Sequence, residues 1–260
     1  QSLRILSYNI QTGIASARYR DYLTQSWRYL VPHRRRFMEL GQIADRLSAY
    51  DLVALQETDG GSLRTGFINT TEYIAGCASF PHWFDQVNRH VGPLARHGNG
   101  LLSRVALSAV SDLKLPGPSG RGALIAQVGP PPASLTIIVA HLALGRRARS
   151  RQLAFLSEQI VGHSHLLLLG DLNCEADSTE VQSLCERTGL EVPAGDDLTF
   201  PSWRPRRRID HILASASLHI ERTTTRGWRH SDHLPVEARL TLPPALSRHW
   251  QARLVDNLQR

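Results

Sequence analysis

Four consecutive leucines, Leu166 to Leu169, constrain the fold of this chain more than any other feature. An apolar run bounded by polar residues is typical of a strand that is buried on both faces. Gly170 is expected to end this strand, and Asp171 and Asn173 follow at alternate positions. Alternate side chains of an extended segment point the same way, so a carboxylate and a carboxamide would leave the strand end side by side. The alternative is an ordinary turn, since Asp and Asn are both common turn residues.

Length and composition are those of an ordinary globular protein. The 260 residues could form one large or two modest domains. No convincing linker divides them, so we expect one domain over 1–260, with its core at about 3–242 and a helical tail at about 245–259. No apolar run is long enough to cross a bilayer, and no secretory pattern opens the sequence. The three cysteines match neither a disulfide framework nor a zinc motif, which favours a reducing compartment and a cytoplasmic location.

The chain is strongly basic, with a formal net charge of +7. Its arginines cluster at 34–36, 146–151 and 204–208. Such charge favours a polyanionic partner, either nucleic acid or an anionic lipid surface. The alternative for any one cluster is a solvated basic face.

Periodicity and turn residues predict the remaining elements. Strands are expected at 3–8, 51–55, 82–87, 122–128, 135–140, 209–213 and 235–242, and helices at 34–49, 72–78 and about 147–161, with a further helix begun by Ser178 or Thr179. Thr71 is the expected cap of the second helix. A surface excursion is expected at 15–33, a polar turn at 97–100 and a loop at 115–120.

Polar side chains with complementary chemistry lie at or near the ends of these predicted strands. They are Asn9, Glu57, His141, Asp171, Asn173, Asp210, Asp232 and His233. In α/β proteins, functional sites are often formed by polar side chains that several strands place at the same edge of a sheet. Any one of these residues could be structural, but eight together indicate a functional site.

The order of the motifs resembles the endonuclease/exonuclease/phosphatase superfamily, which includes deoxyribonuclease I, abasic-site endonucleases, inositol polyphosphate phosphatases and sphingomyelinases. The motifs are Asn9 after a strand, Gln56-Glu57, His141-Leu142, Gly170-Asp171-Leu172-Asn173, Arg208-Ile209-Asp210 and Ser231-Asp232-His233. The resemblance extends from residue 3 to about 242. It implies a four-layer α/β/β/α sandwich of two packed mixed sheets, and it is greatest with bacterial members that have no assigned substrate.

The resemblance also implies a metal-binding region. Glu57 would be the principal ligand of a divalent cation, Mg²⁺ with Mn²⁺ as the alternative, and Asn9 and Asp232 would complete that region. Some members have an acidic residue where this chain has Gln11. We therefore expect one functional ion.

The remaining motif residues carry the acid–base chemistry that the resemblance implies. Asp171 would orient or deprotonate the attacking water, with Asn173 holding the phosphate or the nucleophile. Asp210 would pair with His233 and favour its charged form. His141 would donate to a phosphate oxygen.

The substrate is left open between two classes of phosphate ester, with phosphodiesters favoured over monoesters. Nucleic acid is slightly favoured, because arginine and aromatic residues at 18–36 could follow a phosphate backbone and stack on bases. The alternative substrate is a phospholipid headgroup or a small phosphate ester. A third hypothesis is that the protein is a non-catalytic binding module. We expect Arg206, Arg207 and Asn99 to contact substrate phosphate and the protein to be a monomer.

The predicted tail helix carries an apolar stripe. Its members are Leu246, Trp250, Leu254 and Leu258. Packing on the body of the protein is favoured, and contact with a membrane surface is the alternative.

Overall fold

Two mixed β-sheets form the centre of the protein. The computed structural model describes residues 2–14, 32–130, 134–195, 198–248 and 250. Its strands are β1 (Ser2–Asn9), β2 (Leu52–Asp59), β3 (His82–Val91), β4 (Ala95–Ser103), β5 (Ala109–Lys114), β6 (Gly122–Val128), β7 (Leu135–His141), β8 (His165–Asp171), β9 (Leu190–Glu191), β10 (Asp210–Ser215), β11 (His219–Thr225) and β12 (Val236–Thr241). Its four longer helices are α1 (Arg34–Leu47), α2 (Thr70–Cys77), α3 (Arg146–Ile160) and α4 (Thr179–Thr188).

Each sheet contains one parallel pair in an otherwise antiparallel arrangement. The first sheet has the order β11-β12-β1-β2-β4-β3, and the second has the order β5-β6-β7-β8-β10-β9. The parallel pairs are β1 with β2 and β7 with β8. Parallel neighbours need a crossover connection. The connection from β1 to β2 includes α1, and the connection from β7 to β8 includes α3. As a result, the carboxyl ends of β1 and β2 lie together, and so do those of β7 and β8.

The leucine run shows how the layers are stacked. Leu167 and Leu169 pack in the core between the two sheets. Leu166 and Leu168 face the opposite side, where α3 and α4 cover the second sheet. On the far side of the first sheet, α1 and α2 form the outer layer. The strand buried on both faces and the four-layer sandwich are therefore confirmed.

Gly170 does not end this strand, contrary to the expectation from the sequence. It lies inside β8, paired with Ala140 on one side and His211 on the other. A Cβ atom at this position would lie 2.0 Å from the carbonyl oxygen of Ala140. Glycine is therefore required by close approach of the neighbouring strand, and β8 continues to Asp171.

Four strands were not predicted from the sequence, namely β4, β5, β9 and β11. Of these, β5, β9 and β11 lie at sheet edges. An edge strand has a neighbour on one side only, so it can be polar and exposed. The segment of β5, for example, is largely exposed and lacks the apolar alternation that marks a half-buried strand.

Two local predictions were wrong. The side chain of Asn69, not that of Thr71, caps α2 by accepting hydrogen bonds from the backbone N–H groups of residues 71 and 72. Residues 97–100 are part of β4 rather than a turn. Ser178 caps α4, as predicted.

The structure describes only the first part of the predicted tail. Residues 244–248 and 250 are helical, and Leu246 and Trp250 are buried in the core between the sheets. Leu254, Leu258 and the excursion at 15–31 lie outside the described residues. Among the described residues, no helix combines the length and the apolar character needed to cross a bilayer. The single domain over 1–260 and the monomer stay predictions.

Candidate active site

The polar residues expected at strand ends meet at one edge of the sandwich. Asn9 ends β1 and His141 ends β7. Asp171, at the end of β8, lies opposite Asp210 at the start of the antiparallel strand β10. His233 precedes β12, which runs antiparallel to β1. Parallel and antiparallel pairing therefore bring residues distant in sequence to the same edge.

Asn9 joins the two sheets at the centre of this edge. Its side-chain Nδ2 lies 3.3 Å from Glu57 Oε1 in its own sheet and 3.1 Å from Asp171 Oδ2 in the other. Its Oδ1 accepts a hydrogen bond from the backbone N–H of Gln11 at 3.1 Å. Because all three contacts are made by one buried side chain, the two carboxylates are held at a defined separation.

A β-bulge positions Glu57. The register of β2 against β4 shifts between Gln56 and Thr58, which leaves Glu57 as the extra residue. Its φ of 56° lies in the left-handed region, which is uncommon for a residue other than glycine. Bulges re-aim a side chain and often occur beside functional sites, and local strain of this kind concentrates there. The hydroxyl of Thr12 donates to the carbonyl of Glu57 at 2.9 Å and helps to hold the bulge.

His233 lies between two aspartates. Its Nδ1 lies 2.8 Å from Asp210 Oδ2, and its Nε2 lies 3.8 Å from Asp171 Oδ2. Burial alone would lower the pKa of this imidazole, but the charges of Asp210 and Asp171 more than offset that effect and raise it well above the usual value. His233 is therefore an imidazolium at neutral pH, with Nδ1 engaged and Nε2 turned towards the site.

Asp171 and Asn173 are related by a turn rather than by strand alternation. Asn173 has a φ of 56°, and its backbone N–H donates to Asp171 Oδ1 at 3.0 Å. Its side-chain Nδ2 donates to the carbonyl of Leu142 at 2.9 Å. Asp171 and Asn173 are therefore linked through the backbone by the turn chemistry that the sequence had offered as the alternative.

Arg121 is a site residue that the sequence analysis did not identify. A nitrogen of its guanidinium contacts His141 Nε2, which also lies 3.4 Å from Asp171 Oδ2. A guanidinium has no acceptor, so His141 Nε2 accepts in this contact and the ring is neutral. Burial, followed by the charge of Arg121, lowers the pKa of His141 well below its usual value.

The position of Arg121 could have been inferred from strand pairing. The glycine and prolines at 129–132, between the strands at 122–128 and 135–140, predict that these strands are antiparallel neighbours. In that arrangement the residue before the first strand lies beside the residue that ends the second. The structure pairs Gly122 with His141 accordingly. The sequence information that locates Arg121 is therefore the register of a hairpin and not a motif.

A cleft opens beside Glu57 and His141. Its volume is about 210 Å³, and it is lined by Glu57, Arg89, His97, Gly98, Ser119, Gly120, Arg121 and His141. Its walls come from both sheets, since β2, β3 and β4 supply one side and the residues around β6 and β7 supply the other. The cleft therefore lies directly beside the edge where the acidic and histidine side chains converge.

Burial and mutual repulsion raise the pKa of two carboxyl groups in the site. For Glu57, burial is the larger cause and the negative charge of Asp232 adds to it. For Asp171, burial raises the pKa to about 7, with Asp210 and Glu57 contributing and His233 opposing the shift. Negative charge is thus concentrated where little water can stabilise it.

This donor set fits a divalent cation. The carboxylates of half-buried Glu57 and buried Asp232 repel each other. Asn9 contacts Glu57 through its Nδ2, while its Oδ1 accepts from the N–H of Gln11. Oxygen ligands of this kind suit Mg²⁺, which is usually held by one or two carboxylates. Atoms of Asp171, Asp210 and His233 also lie within 4.8 Å of one another. In that cluster, however, the His233 Nδ1 is already engaged with Asp210 at 2.8 Å.

Of the two arginines predicted to bind phosphate, Arg207 lies beside the site. Arg206 and Arg207 are both exposed. Arg207 lies 3.4 Å from the carbonyl oxygen of Asn173 and 3.8 Å from Glu175 Oε1. Their position therefore keeps both side chains open to a ligand.

Asn99 lies in the interior, which does not support the phosphate contact expected from the sequence. It is fully buried, and its Nδ2 donates to Gln86 Oε1 at 2.9 Å and to the carbonyl of Gly122 at 3.1 Å. Gln86 Nε2 in turn donates to the carbonyl of Ala123 at 3.0 Å. Because these residues belong to different sheets, Asn99 and Gln86 connect the two sheets beneath the cleft.

Asn99→Ala is expected to lower the free energy of unfolding by about 2 kcal/mol, because it removes two buried hydrogen bonds. In a protein of this size that corresponds to a decrease of roughly 4–8 °C in Tm, which calorimetry would measure. The matched control is Asn88→Ala, which removes a side-chain hydrogen bond to Gln86 and should cost less. An unchanged Tm combined with a raised KM would instead place Asn99 in substrate binding.

Comparisons with known proteins agree with this geometry. The family model described as Endonuclease/Exonuclease/phosphatase family matches residues 6–233. No curated protein sequence matches the chain.

Several solved structures share the fold at low sequence identity. An endonuclease/exonuclease/phosphatase from Beutenbergia cavernae DSM 12333 has a TM-score of 0.72 at 20% identity, covering 94% of this chain and 72% of that one. The mannosyl-6-phosphatase of Bacteroides thetaiotaomicron VPI-5482 has a TM-score of 0.68 at 16% identity, covering 92% and 100%. TDP2 of D. rerio, complexed with single-strand DNA product, has a TM-score of 0.64 at 17% identity, covering 93% and 99%.

Proposed function

Because the chain belongs to the endonuclease/exonuclease/phosphatase family, a family of phosphoester hydrolases, we propose that it is a divalent-metal-dependent phosphodiesterase with nucleic acid as its favoured substrate. The observation that carries the proposal is the buried pair of His233 and Asp171 at the sheet edge, in which one side chain can donate a proton and the other can accept one. The His233 imidazolium is a proton donor, and Asp171, with its Oδ2 3.8 Å from Nε2, is a proton acceptor. Phosphoester hydrolysis needs both, since a water must lose a proton while negative charge develops on the phosphate.

Glu57, supported by Asn9 and Asp232, is the region that would hold the cation. When bound there, Mg²⁺, or Mn²⁺ as the alternative, supplies positive charge to the phosphate and to the leaving oxygen. Gln11 takes the place of an acidic residue that could serve a second ion, so one functional ion is proposed.

The remaining catalytic roles are assigned to side chains of the site. Asp171 orients the attacking water and accepts its proton, and the backbone of Asn173 holds that carboxylate in place. His233 donates from Nε2 to a phosphate oxygen, while Asp210 fixes the orientation of the ring. His141 is proposed to act with Arg121. The neutral imidazole accepts a hydrogen bond from the guanidinium, and Arg121 supplies the positive charge on that side of the site.

The net charge of +7 supports nucleic acid as substrate, since contacts to the phosphate backbone dominate its binding. The exposed side chains of Arg206 and Arg207 suit a polynucleotide substrate that continues beyond the reacting phosphate.

A small phosphate ester is the second candidate. The cleft of about 210 Å³ would accommodate a compact group, and one protein with this fold is a mannosyl-6-phosphatase. A phospholipid headgroup belongs to the same alternative.

Replacing Arg206 and Arg207 together with Ala is expected to raise KM on a polynucleotide by about 10-fold, because each lost charge-assisted contact weakens ground-state binding. Steady-state kinetics at low ionic strength would measure this change, with kcat less affected. Arg222→Ala/Arg239→Ala removes the same charge from exposed positions on β11 and β12 and is the control. An unchanged KM in the Arg206→Ala/Arg207→Ala variant would exclude these arginines from substrate binding.

Hydrolysis of plasmid DNA, single-stranded DNA and RNA with Mg²⁺ or Mn²⁺ tests the proposed function. We expect cleavage that EDTA and His233→Ala both abolish. If the folded, metal-loaded protein cleaves none of these polymers but hydrolyses a phosphomonoester or a phospholipid headgroup, the second candidate replaces the first. Activity that persists in EDTA would contradict metal dependence.

A further inference from the structure

The cleft beside the reacting centre contains two arginines, and the charge of one of them, Arg121, also acts on the Glu57 carboxylate. Arg89 lies at the end of the β3–β4 hairpin and Arg121 lies just before β6, and both line the cleft. Within the described residues, neither forms an ion pair with a carboxylate, although six other arginines do so. Two guanidinium groups facing the same small space repel each other unless an anion lies between them.

The fold holds the two arginines on separate sheets at a defined place. Gly120, with a φ of 92°, lies directly against the Arg89 side chain, since a Cβ there would be 3.3 Å from Arg89 Cδ. The loop before β6 therefore packs on the stem of Arg89 and carries Arg121 next to it. Beneath them, the hydrogen bonds of Gln86 and Asn99 to the start of β6 tie the sheets together. One wall of the cleft is thus built on strands, and the loop that supplies Arg121 to the other wall is packed against Arg89.

The remaining lining suits an anion that is part of a larger ligand. The exposed residue Ser119 offers a hydroxyl at the rim. Glu57 and His141 form the inner wall, so the cleft is continuous with the place where the proposed reaction occurs. A group bound between the arginines would be a near neighbour of the phosphate being hydrolysed.

We propose that this cleft binds a second phosphate group of the substrate, adjacent to the one that is cleaved. Arginine is the preferred side chain for phosphate, because its planar fork matches the phosphate oxygens in two parallel charge-assisted hydrogen bonds. The inference rests on the proposed phosphoesterase function and narrows it to substrates that carry at least two phosphate groups, such as successive nucleotides of a strand.

Binding of matched nucleotides to the whole chain tests this subsite without requiring turnover. The ligands are thymidine 5′-monophosphate and thymidine 3′,5′-bisphosphate, measured by titration calorimetry in EDTA. We expect the bisphosphate to bind about 10-fold more tightly, the equivalent of about 1.4 kcal/mol. In Arg89→Gln this ratio should fall to about 1–2, whereas Arg239→Gln, which removes the same charge from an exposed position on β12, should retain it.

The corresponding p-nitrophenyl esters extend the test to catalysis with Mg²⁺. Thymidine 5′-(p-nitrophenyl phosphate) should have a higher KM than its 3′-phosphorylated form in the wild type, and Arg89→Gln should remove the difference. Loss of the binding preference in Arg89→Gln, with no hydrolysis of either ester, would support the subsite while contradicting the proposed function.

Three results would overturn the inference. Equal binding of the two nucleotides by the wild type would remove the second phosphate site. A preference that Arg89→Gln retains in full would place that phosphate elsewhere. Binding of inorganic phosphate that depends on Arg89, without any preference for the bisphosphate, would make the cleft a site for a free anion instead.

Discussion

Asp171→Asn is expected to lower kcat by about 10³-fold, within the range that removal of a general base produces. An amide cannot accept the proton of the attacking water, yet it has almost the same shape as the carboxylate. The Oδ1 that accepts from the backbone N–H of Asn173 can be kept, so the turn after β8 should survive. Steady-state turnover of the best phosphodiester substrate, with Mg²⁺ or Mn²⁺ at saturation, would measure the effect.

The same substitution is expected to stabilise the metal-free protein at neutral and alkaline pH. Burial raises the pKa of Asp171 to about 7 in the folded state, above the value near 3.9 of an unfolded chain. The protonated carboxyl therefore favours folding below pH 4, and that contribution is lost as the pH rises through about 7. At pH 8 an uncharged amide avoids the cost of a buried charge. Its NH₂ group loses the hydrogen bond that Oδ2 accepts from Asn9, which offsets part of this gain, and Tm should still rise in EDTA.

Asp177→Asn is the matched control, since it removes one negative charge from an exposed position in the segment between β8 and α4. It should change neither kcat nor the pH dependence of Tm. Near-normal turnover by Asp171→Asn would contradict the proposed mechanism. A Tm that falls in parallel with kcat would mean that the side chain is needed mainly for structure.

His233→Ala is expected to lower kcat by about 10²–10³-fold, the usual effect of losing one donor to a developing negative charge. Unlike Asp171→Asn, it should also destabilise the fold. It leaves Asp210, which is only 1% exposed, without its partner at 2.8 Å. Breaking a buried pair in this way typically costs about 3–5 kcal/mol, which thermal unfolding would show as a clear decrease in Tm.

The destabilisation has a definite pH dependence. The pKa of His233 is raised in the folded state, so the stability it contributes is complete below its unfolded value near 6.5. That contribution is lost only as the pH rises through the higher folded value. The Tm difference between the wild type and His233→Ala should therefore be largest at pH 5–6 and should decrease in alkaline solution.

A second variant separates stability from catalysis. His233→Ala combined with Asp210→Asn removes the unpartnered charge and should recover much of the lost stability without recovering kcat. His230→Ala is the residue-matched control, because His230 pairs with Glu39 at 2.8 Å in the same segment before β12. If His230→Ala lost as much kcat as His233→Ala, the effect would reflect the segment rather than the imidazolium.

The fold was largely predictable because its strands are marked by strong local patterns. The leucine run of β8 and the apolar strands β7 and β10 are buried on both faces, and continuous hydrophobicity identifies such strands. The edge strands β5 and β11 were missed for the opposite reason, since one-sided pairing imposes no comparable pattern. Burial, rather than strand formation itself, is what leaves a signal in the sequence.

The bulge at Glu57 is a second feature that local pattern did not reveal. The sequence predicts a strand ending at Leu55 with Glu57 beyond it, whereas β2 continues to Asp59. Only the pairing with β4 makes Glu57 the extra residue and turns its carboxylate towards Asn9. A register shift depends on two strands, so neither strand encodes it alone.

Order and residue type along the chain were sufficient to specify the family, the layered sandwich and the identities of the acidic and histidine residues at the strand ends. These are properties of short segments, and each segment carries its own pattern. Tertiary structure alone decided that Arg89 faces the same cleft as Arg121 and that Asn99 is buried between the sheets. Those contacts join residues from opposite sheets, and their distances follow from how the two sheets pack face to face, which no single segment contains.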